Sequence, residues 1–135
     1  MKFPEWLKVY GDIKYRGKCP TENAEQITFF NSLPPGLRML AIHPRNEGKR
    51  TMQQAQREKA EGMTPGAADI IIIGCPTFVC ELKRQDHTKS VWQPNQVEHL
   101  ALAQANGAFV CVALGWEAAI QGLDEWNTIR MTNLG

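Results

Sequence analysis

The chain has few features that would place it outside the ordinary globular proteins: it lacks long apolar runs, paired cysteines and a large net charge. No apolar run approaches the roughly 20 residues that a membrane-spanning helix needs, and Met1 to Glu5 contain no signal-peptide core. We therefore expect a cytosolic protein with no membrane segment. Its four cysteines form no CxxC pair, which favours isolated buried thiols over disulfides or structural zinc.

The composition is that of one folded domain. Hydrophobic residues make up 43% and charged residues 21% of 135 residues, so disorder, collagen-like repeats and coiled coils are excluded. A chain of this length builds one core. We expect a single domain over residues 1–135, with an irregular arm over 1–20, a core over 21–123 and a tail over 124–135.

The net charge of +1 hides an uneven distribution. Residues 38–59 contain six basic and two acidic side chains, whereas residues 98–135 contain four acidic and one basic. The basic segment is either a phosphate-binding patch or an ordinary solvated helix face, and charge alone does not separate the two.

The pattern of apolar residues, caps and breakers predicts an α/β domain in the order α-β-α-β-β-α-β-α, with a mixed sheet flanked by helices. Helices are predicted over 22–33 with Thr21 as cap, over 51–61, from 94 to 107, and from 116 to about 123. Strands are predicted over 39–42, 69–73, 77–83 and 109–113.

The two middle strands form a predicted hairpin that brings charged side chains together. If residues 74–76 are its loop, Asp69 lies opposite Glu81, and the alternation of a strand places Lys83 on the same face. Two carboxylates at that distance repel each other unless a divalent cation such as Mg²⁺ or Mn²⁺ balances their charge. The simpler alternative is a solvated strand end with an ion pair.

Several short motifs surround this hairpin. They are Glu22 to Gln26 as Glu-x(3)-Gln, the loop His43 to Arg50, the turn Pro65-Gly66 before Asp69, Glu81-Leu82-Lys83, and Gln96 in Gln-Pro-Asn-Gln. As a set they resemble the virus-type replication-repair nuclease (VRR-NUC) family of the PD-(D/E)xK nuclease superfamily, in its stand-alone phage type. The sequence departs from the family pattern at Ala68, where a proline is usual, and at the additional Glu47.

The resemblance implies a PD-(D/E)xK nuclease core with catalytic Asp69, Glu81, Lys83, Gln96 and Glu22. Oxygen ligands would hold Mg²⁺ or Mn²⁺: Asp69, Glu81, the backbone carbonyl of Leu82, and Glu22 directly or through water. Lys83 would orient the attacking water, and Gln96 would position Lys83 or that water.

The resemblance also implies DNA contacts from the loop and the second helix, by His43, Arg45, Asn46, Lys49, Arg50 and Arg57. His43 could equally be a structural hydrogen-bonding residue. Trp92 could stack on an unpaired base, although a half-buried packing role is favoured.

The function implied is a metal-dependent, structure-specific DNA endonuclease that leaves a 5′-phosphate. Short stand-alone members resemble four-way-junction resolvases, which implies a homodimer, with the arm before Cys19 and the Trp126 region as candidate interfaces. The alternatives are a monomeric flap or single-strand nuclease, and a non-catalytic nucleic-acid-binding module. Converging carboxylates argue against the last, because they repel phosphate.

Overall fold

The computed structural model describes residues 1–44 and 51–134. The elements, in chain order, are β1 (Lys8–Tyr10), α1 (Glu22–Asn31), α2 (Pro35–Leu40), β2 (Ala41–Ile42), α3 (Met52–Ala60), β3 (Ile70–Ile72), β4 (Phe78–Lys83), a 3₁₀ turn (His87–Lys89), α4 (Gln96–Ala105), β5 (Phe109–Leu114) and α5 (Trp116–Leu134). None of the helices in these two ranges is long and apolar enough to cross a membrane.

The strands form one mixed five-stranded sheet in the order β1-β5-β4-β3-β2. β5 is parallel to both β1 and β4, whereas β3 is antiparallel to β4 and β2. One face of the sheet carries an apolar core with side chains of α1 and α5, and the opposite face carries a smaller core with Leu100 of α4. The predicted mixed sheet flanked by helices is confirmed.

The predicted hairpin register is also confirmed. Ile70 pairs with Cys80, Ile71 with Val79 and Ile72 with Phe78. The strands are shorter than predicted at the turn, and Asp69 lies immediately before β3. Phe78, Cys80 and Leu82 all enter the larger core, as the alternation of β4 requires.

The prediction of an irregular arm over residues 1–20 is wrong for β1. Lys8, Val9 and Tyr10 pair in parallel with Cys111, Val112 and Ala113 of β5 and extend the sheet at that edge. Three residues are too few to show a period in the sequence. Their partner strand lies about a hundred residues further along the chain, so no local pattern indicates the pairing.

The strand predicted over residues 39–42 is reduced to two residues. Pro35 is the first residue of the short helix α2, which includes Met39 and Leu40 and leaves only Ala41 and Ile42 for β2. A proline in the first helical turn lacks only an N–H that would have no intrahelical partner there, so it starts α2 readily.

The predicted tail from residue 124 is likewise wrong, since α5 continues to Leu134. Trp126 anchors this extension: it is fully buried, its indole ring centre lies 5.5 Å from that of Phe78, and its Nε1 donates to the carbonyl of Pro76 at 2.6 Å. A side chain buried within its own chain cannot present itself to a partner, so Trp126 is removed from the candidate subunit interfaces.

The helix caps follow the sequence. Thr21 accepts a hydrogen bond from the amide of Ala24, and Thr51 forms a reciprocal capping box with Gln54. α3 is thereby ordered without a single buried side chain among its residues. It stands as an exposed helix next to the segment 45–50.

Candidate active site

The centre of the site is a pair of buried charged residues at the end of β4. Glu81 and Lys83 are each 1% exposed, and both lie on the face of β4 that turns towards α4. Asp69 is 7% exposed. Burial of charged side chains is costly unless they serve each other or a ligand, so a solvated strand end is not what the structure shows.

Asp69 is held against β4 by the main chain. Its Oδ2 accepts a hydrogen bond from the amide of Leu82 at 2.9 Å. In a strand the N–H and C=O of one residue face the same neighbouring strand, so the Leu82 carbonyl also faces the Asp69 side. The Asp69 carboxylate lies close enough to Glu81 to raise the pKa of Glu81.

This arrangement perturbs the acidity of Glu81. Burial raises the pKa of Glu81 well above its usual range, and the hydrogen bond to Asp69 and its negative charge raise the pKa further, against the opposing charge of Lys83. Glu81 Oε2 is buried and, in the described part of the chain, has no hydrogen-bond donor. The two carboxylates of Asp69 and Glu81 therefore favour the binding of either a proton or a cation.

Gln96 of α4 links the acid to the amine. Its Oε1 accepts from Lys83 Nζ at 2.9 Å and from the backbone N–H of Gln93 at 2.9 Å. Its Nε2 donates to Glu81 Oε1 at 3.2 Å. Both polar atoms of the Gln96 side-chain amide therefore form hydrogen bonds within the site. Gln96 thus fixes where Lys83 stands relative to Glu81, which is the arrangement expected for a positioning residue.

Lys83 has two further contacts. Its Nζ donates to the carbonyl of Val91 at 2.8 Å and lies 5.2 Å from the centre of the Trp92 ring. Trp92 is itself held by a hydrogen bond from its Nε1 to the carbonyl of Lys2 at 2.8 Å and by the edge of Phe3. These contacts agree with a packing role for Trp92, and they tie the N-terminal segment to the amine.

Glu22 lies in the first turn of α1 and reaches the same region. Its Oε2 accepts from Ser90 Oγ at 2.8 Å, and Ser90 Oγ in turn accepts from the amide of Arg84 at 3.0 Å. The negative charge of Glu22 contributes to the raised pKa of Glu81. Its predicted role as a metal ligand stays a prediction.

His43 and Arg57 occupy different surroundings. His43 Nδ1 lies 2.8 Å from the backbone carbonyl oxygen of Asp69, and the ring packs against Phe30, so His43 supports the backbone that carries Asp69. Arg57 is exposed on α3. The remaining residues predicted to contact DNA lie outside the described residues: Arg45, Asn46, Lys49 and Arg50.

A cavity of about 630 Å³ opens beside Asp69. It lies between α1, α3, the turn 65–66 and the start of α4, and it contains Glu22 and Gln96 in its lining. Sequence reasoning assigned no role to most of its other polar residues: Asn23, Lys59, Gln93 and Asn95. The spacing of Glu22, Asn23 and Gln26 on one helix could have indicated a shared surface, because residues three and four apart are neighbours.

The donor atoms fit a hard cation, although not as a complete site. Among the described residues, no group of three or more His, Cys, Asp or Glu side chains is arranged to hold a metal ion. The available oxygen donors are those of Asp69, Glu81 and the Leu82 carbonyl. Buried carboxylates with an unpartnered oxygen suit Mg²⁺ or Mn²⁺, which prefer oxygen ligands and keep several waters.

Comparison with known proteins bears on the fold. The sequence matches no protein-family model and no curated protein. The structure is similar to that of a solved protein named "VRR_NUC domain protein", with a TM-score of 0.61 and 21% sequence identity over 80% of this chain and 88% of that chain. This likeness shows that the chain has the α/β fold of a VRR-NUC domain.

Proposed function

We propose that this protein is a metal-dependent endonuclease that hydrolyses DNA phosphodiester bonds. The observation that carries the proposal is the buried pair Asp69 and Glu81 beside Lys83, with Gln96 joining the acid to the amine at the edge of a cavity. The fold shared with a protein named for a nuclease domain supports it.

Each residue has a chemical part in this reaction. Mg²⁺ or Mn²⁺ held by Asp69, Glu81 and the Leu82 carbonyl would lower the pKa of a bound water and offset the charge of the phosphate. Lys83 orients the attacking water with its amine and adds a positive charge near the phosphorus, where negative charge develops. Gln96 holds that amine in place. No protein nucleophile is required, and the product carries a 5′-phosphate.

The charges of the site favour catalysis over mere binding. Asp69 and Glu81 are both acidic, and Glu22 lies near them, whereas Lys83 contacts Gln96 and its positive charge only partly offsets the raised pKa of Glu81. Such a site repels a phosphate unless a cation is present. A non-catalytic nucleic-acid-binding module would gain nothing from these carboxylates.

DNA would lie across the basic side of the molecule. Arg57 is exposed on α3, and Lys59 of the same helix lines the cavity. Together with Arg45, Lys49 and Arg50 of the adjoining segment, they supply the positive charge that phosphate contacts need.

The preferred substrate in this proposal is a four-way junction, cut by a homodimer. One protomer carries one site, whereas resolving a junction needs two incisions, and a twofold dimer holds two sites in symmetric positions. The cavity specifically favours the other candidate, a monomeric nuclease for flaps or single strands, because a concave site suits an unpaired nucleotide. Light scattering at micromolar concentration decides between them: a stable dimer supports the resolvase, and a monomer that cuts flaps as readily as junctions supports the alternative.

The test of nuclease activity uses labelled branched and linear DNAs with Mg²⁺, Mn²⁺, Ca²⁺ or EDTA. Asp69→Asn and Glu81→Gln should each reduce cleavage by about a hundredfold or more, while DNA binding in Ca²⁺ is retained. Glu5→Gln, at an exposed position, is the matched control and should cleave normally. Full cleavage in EDTA, or by either site variant, would contradict the proposal.

A further inference from the structure

We propose that the cavity beside Asp69 is a pocket for one unpaired nucleobase of the DNA, adjacent to the phosphate that is cut. The inference rests on the proposed nuclease function and adds the class of substrate: DNA with an unpaired or flipped nucleotide at the cleavage position.

The size and position of the cavity are the first observation. Its volume of about 630 Å³ falls within the range of small-ligand pockets, about 300–1,000 Å³, and is ample for one nucleotide. Asp69 and Gln96 belong to its lining, so a base inside it stands next to the proposed reacting phosphate. Lys59 lines the pocket from α3 and supplies a positive charge for a neighbouring phosphate.

The chemistry of the lining is the second observation. It contains four side-chain amides: Asn23, Gln26, Gln93 and Asn95. An amide offers both donors and an acceptor, which is the combination that the edge of a base presents in return. Met63, Pro65 and Pro94 add apolar surface against which the face of a base can lie.

The wall of the cavity is preformed. Asn95 has φ 72°, in the left-handed region, and Gly66 has φ 78°. A Cβ at Gly66 would lie 2.4 Å from the carbonyl carbon of Asn95, so the turn and the start of α4 are in contact through their backbones. A non-glycine residue in this conformation is held by its surroundings, which is common at ligand sites.

A stacked duplex cannot enter such a cavity. In double-stranded DNA the bases are paired inside, and a protein reaches a whole base only after it leaves the stack. At a flap, a nick or the centre of a branched junction, the cost of unpairing is small or already met. The pocket would therefore select for branched or frayed DNA by the presence of an accessible base.

The test replaces single bases near the cut of a branched DNA by abasic sites, one position at a time. At one position, the abasic site should lower kcat/KM about tenfold, as the loss of one base contact does in other proteins, and neighbouring positions should change little. Asn23→Ala combined with Gln26→Ala should cleave the intact and abasic DNAs equally well. Gln104→Ala, an exposed amide on α4 that does not line the cavity, is the control and should retain the tenfold difference.

A binding measurement separates this inference from the proposed function. With 2-aminopurine at each position in turn and Ca²⁺ present, the native protein should change the fluorescence at one position, and the double variant should not. If no DNA is cleaved but this signal appears, the nuclease proposal fails and the pocket stands. If DNA is cleaved but all abasic positions behave alike and no signal appears, the pocket is refuted and the nuclease stands.

Discussion

Replacing Glu81 by glutamine should make the metal-free protein more stable at neutral pH, although it removes a proposed catalytic residue. Glu81 is 1% exposed, its pKa is raised by burial and by Asp69, and its Oε2 is buried without a donor among the described residues. A glutamine of the same size still accepts from Gln96 and can donate its own N–H to Asp69. It therefore relieves both the repulsion and the unpartnered oxygen.

The size of the gain follows from that oxygen. A buried polar atom without a partner costs about 1–3 kcal/mol, and desolvated charge adds to that cost. We expect Glu81→Gln to raise the free energy of unfolding by about 1–3 kcal/mol near neutral pH in EDTA, as a charged group is replaced by a neutral one. For a domain of this size the melting temperature should rise by roughly 3–10 °C.

The difference should depend on pH with a definite sign. Because the pKa of Glu81 is raised in the folded state, the folded protein holds this proton more tightly than the unfolded chain. The proton on Glu81 therefore stabilises the folded state. This stabilisation is complete below the unfolded glutamate pKa of about 4.3 and is lost as pH rises through the higher pKa of the folded state. The difference in unfolding free energy between Glu81→Gln and the native protein should therefore be small near the unfolded glutamate pKa and largest above the raised pKa of folded Glu81.

The assay is urea or thermal unfolding of the native protein, Glu81→Gln and the exposed control Glu5→Gln, in EDTA across this pH range. Adding Ca²⁺ should stabilise the native protein and reduce its difference in stability from Glu81→Gln, because a cation can bind the unpartnered Oε2 of Glu81. The reasoning is refuted if Glu81→Gln is no more stable than the native protein at neutral pH, or if its advantage is independent of pH.

Three further predictions concern the surroundings of the site. Arg57→Ala, at an exposed position of α3, should weaken DNA binding and reduce the slope of log affinity against log salt by about one unit, with little change in the rate at saturation. Trp92→Leu should slow single-turnover cleavage several-fold while Trp92→Phe retains most activity, because the ring lies 5.2 Å from Lys83 Nζ; equal rates for both variants would contradict an effect of the aromatic ring on the Lys83 amine. Gly66→Ala, whose Cβ would meet a backbone carbon at 2.4 Å, should lower the unfolding free energy by more than about 1 kcal/mol, whereas Gly36→Ala, with no atom within 4 Å, should be neutral or stabilising.

The hairpin shows what the sequence can specify about the site. A strand alternates strictly, so the shared face of Glu81 and Lys83 follows from the order of the residues, and the predicted register is the one in which Ile72 pairs with Phe78. The caps at Thr21 and Thr51 are local in the same sense, because each hydrogen bond spans three residues.

The elements that were missed depend on distant partners. β1 is three residues long and exists because β5 offers it an edge, which no window around Lys8 can show. The extension of α5 depends on a slot for Trp126 between Phe78 and the Pro76 carbonyl. In both cases tertiary contacts, rather than local propensity, decide the structure.

The cavity lies between these two situations. Motif resemblance pointed to Gln96, but nothing local indicates that Asn23, Lys59 and Asn95 meet, because they come from three elements that approach only in the folded chain. In the folded chain, Asn95 has a positive φ and its backbone packs against Gly66 where the turn meets the start of α4.

The position of the charged residues explains how the fold can tolerate them. β4 lies in the middle of the sheet, between β3 and β5, and apolar side chains cover both of its faces. That scaffold holds Glu81 in one conformation before any substrate arrives, and the Leu82 amide holds Asp69 beside it, so the cost of bringing these two like charges together is met during folding. On the proposed function, a cation then binds to carboxylates that are already in place, and its binding relieves the repulsion instead of having to create the site. A loop at the same place would have had to organise the carboxylates at the moment of binding, with a corresponding loss of affinity.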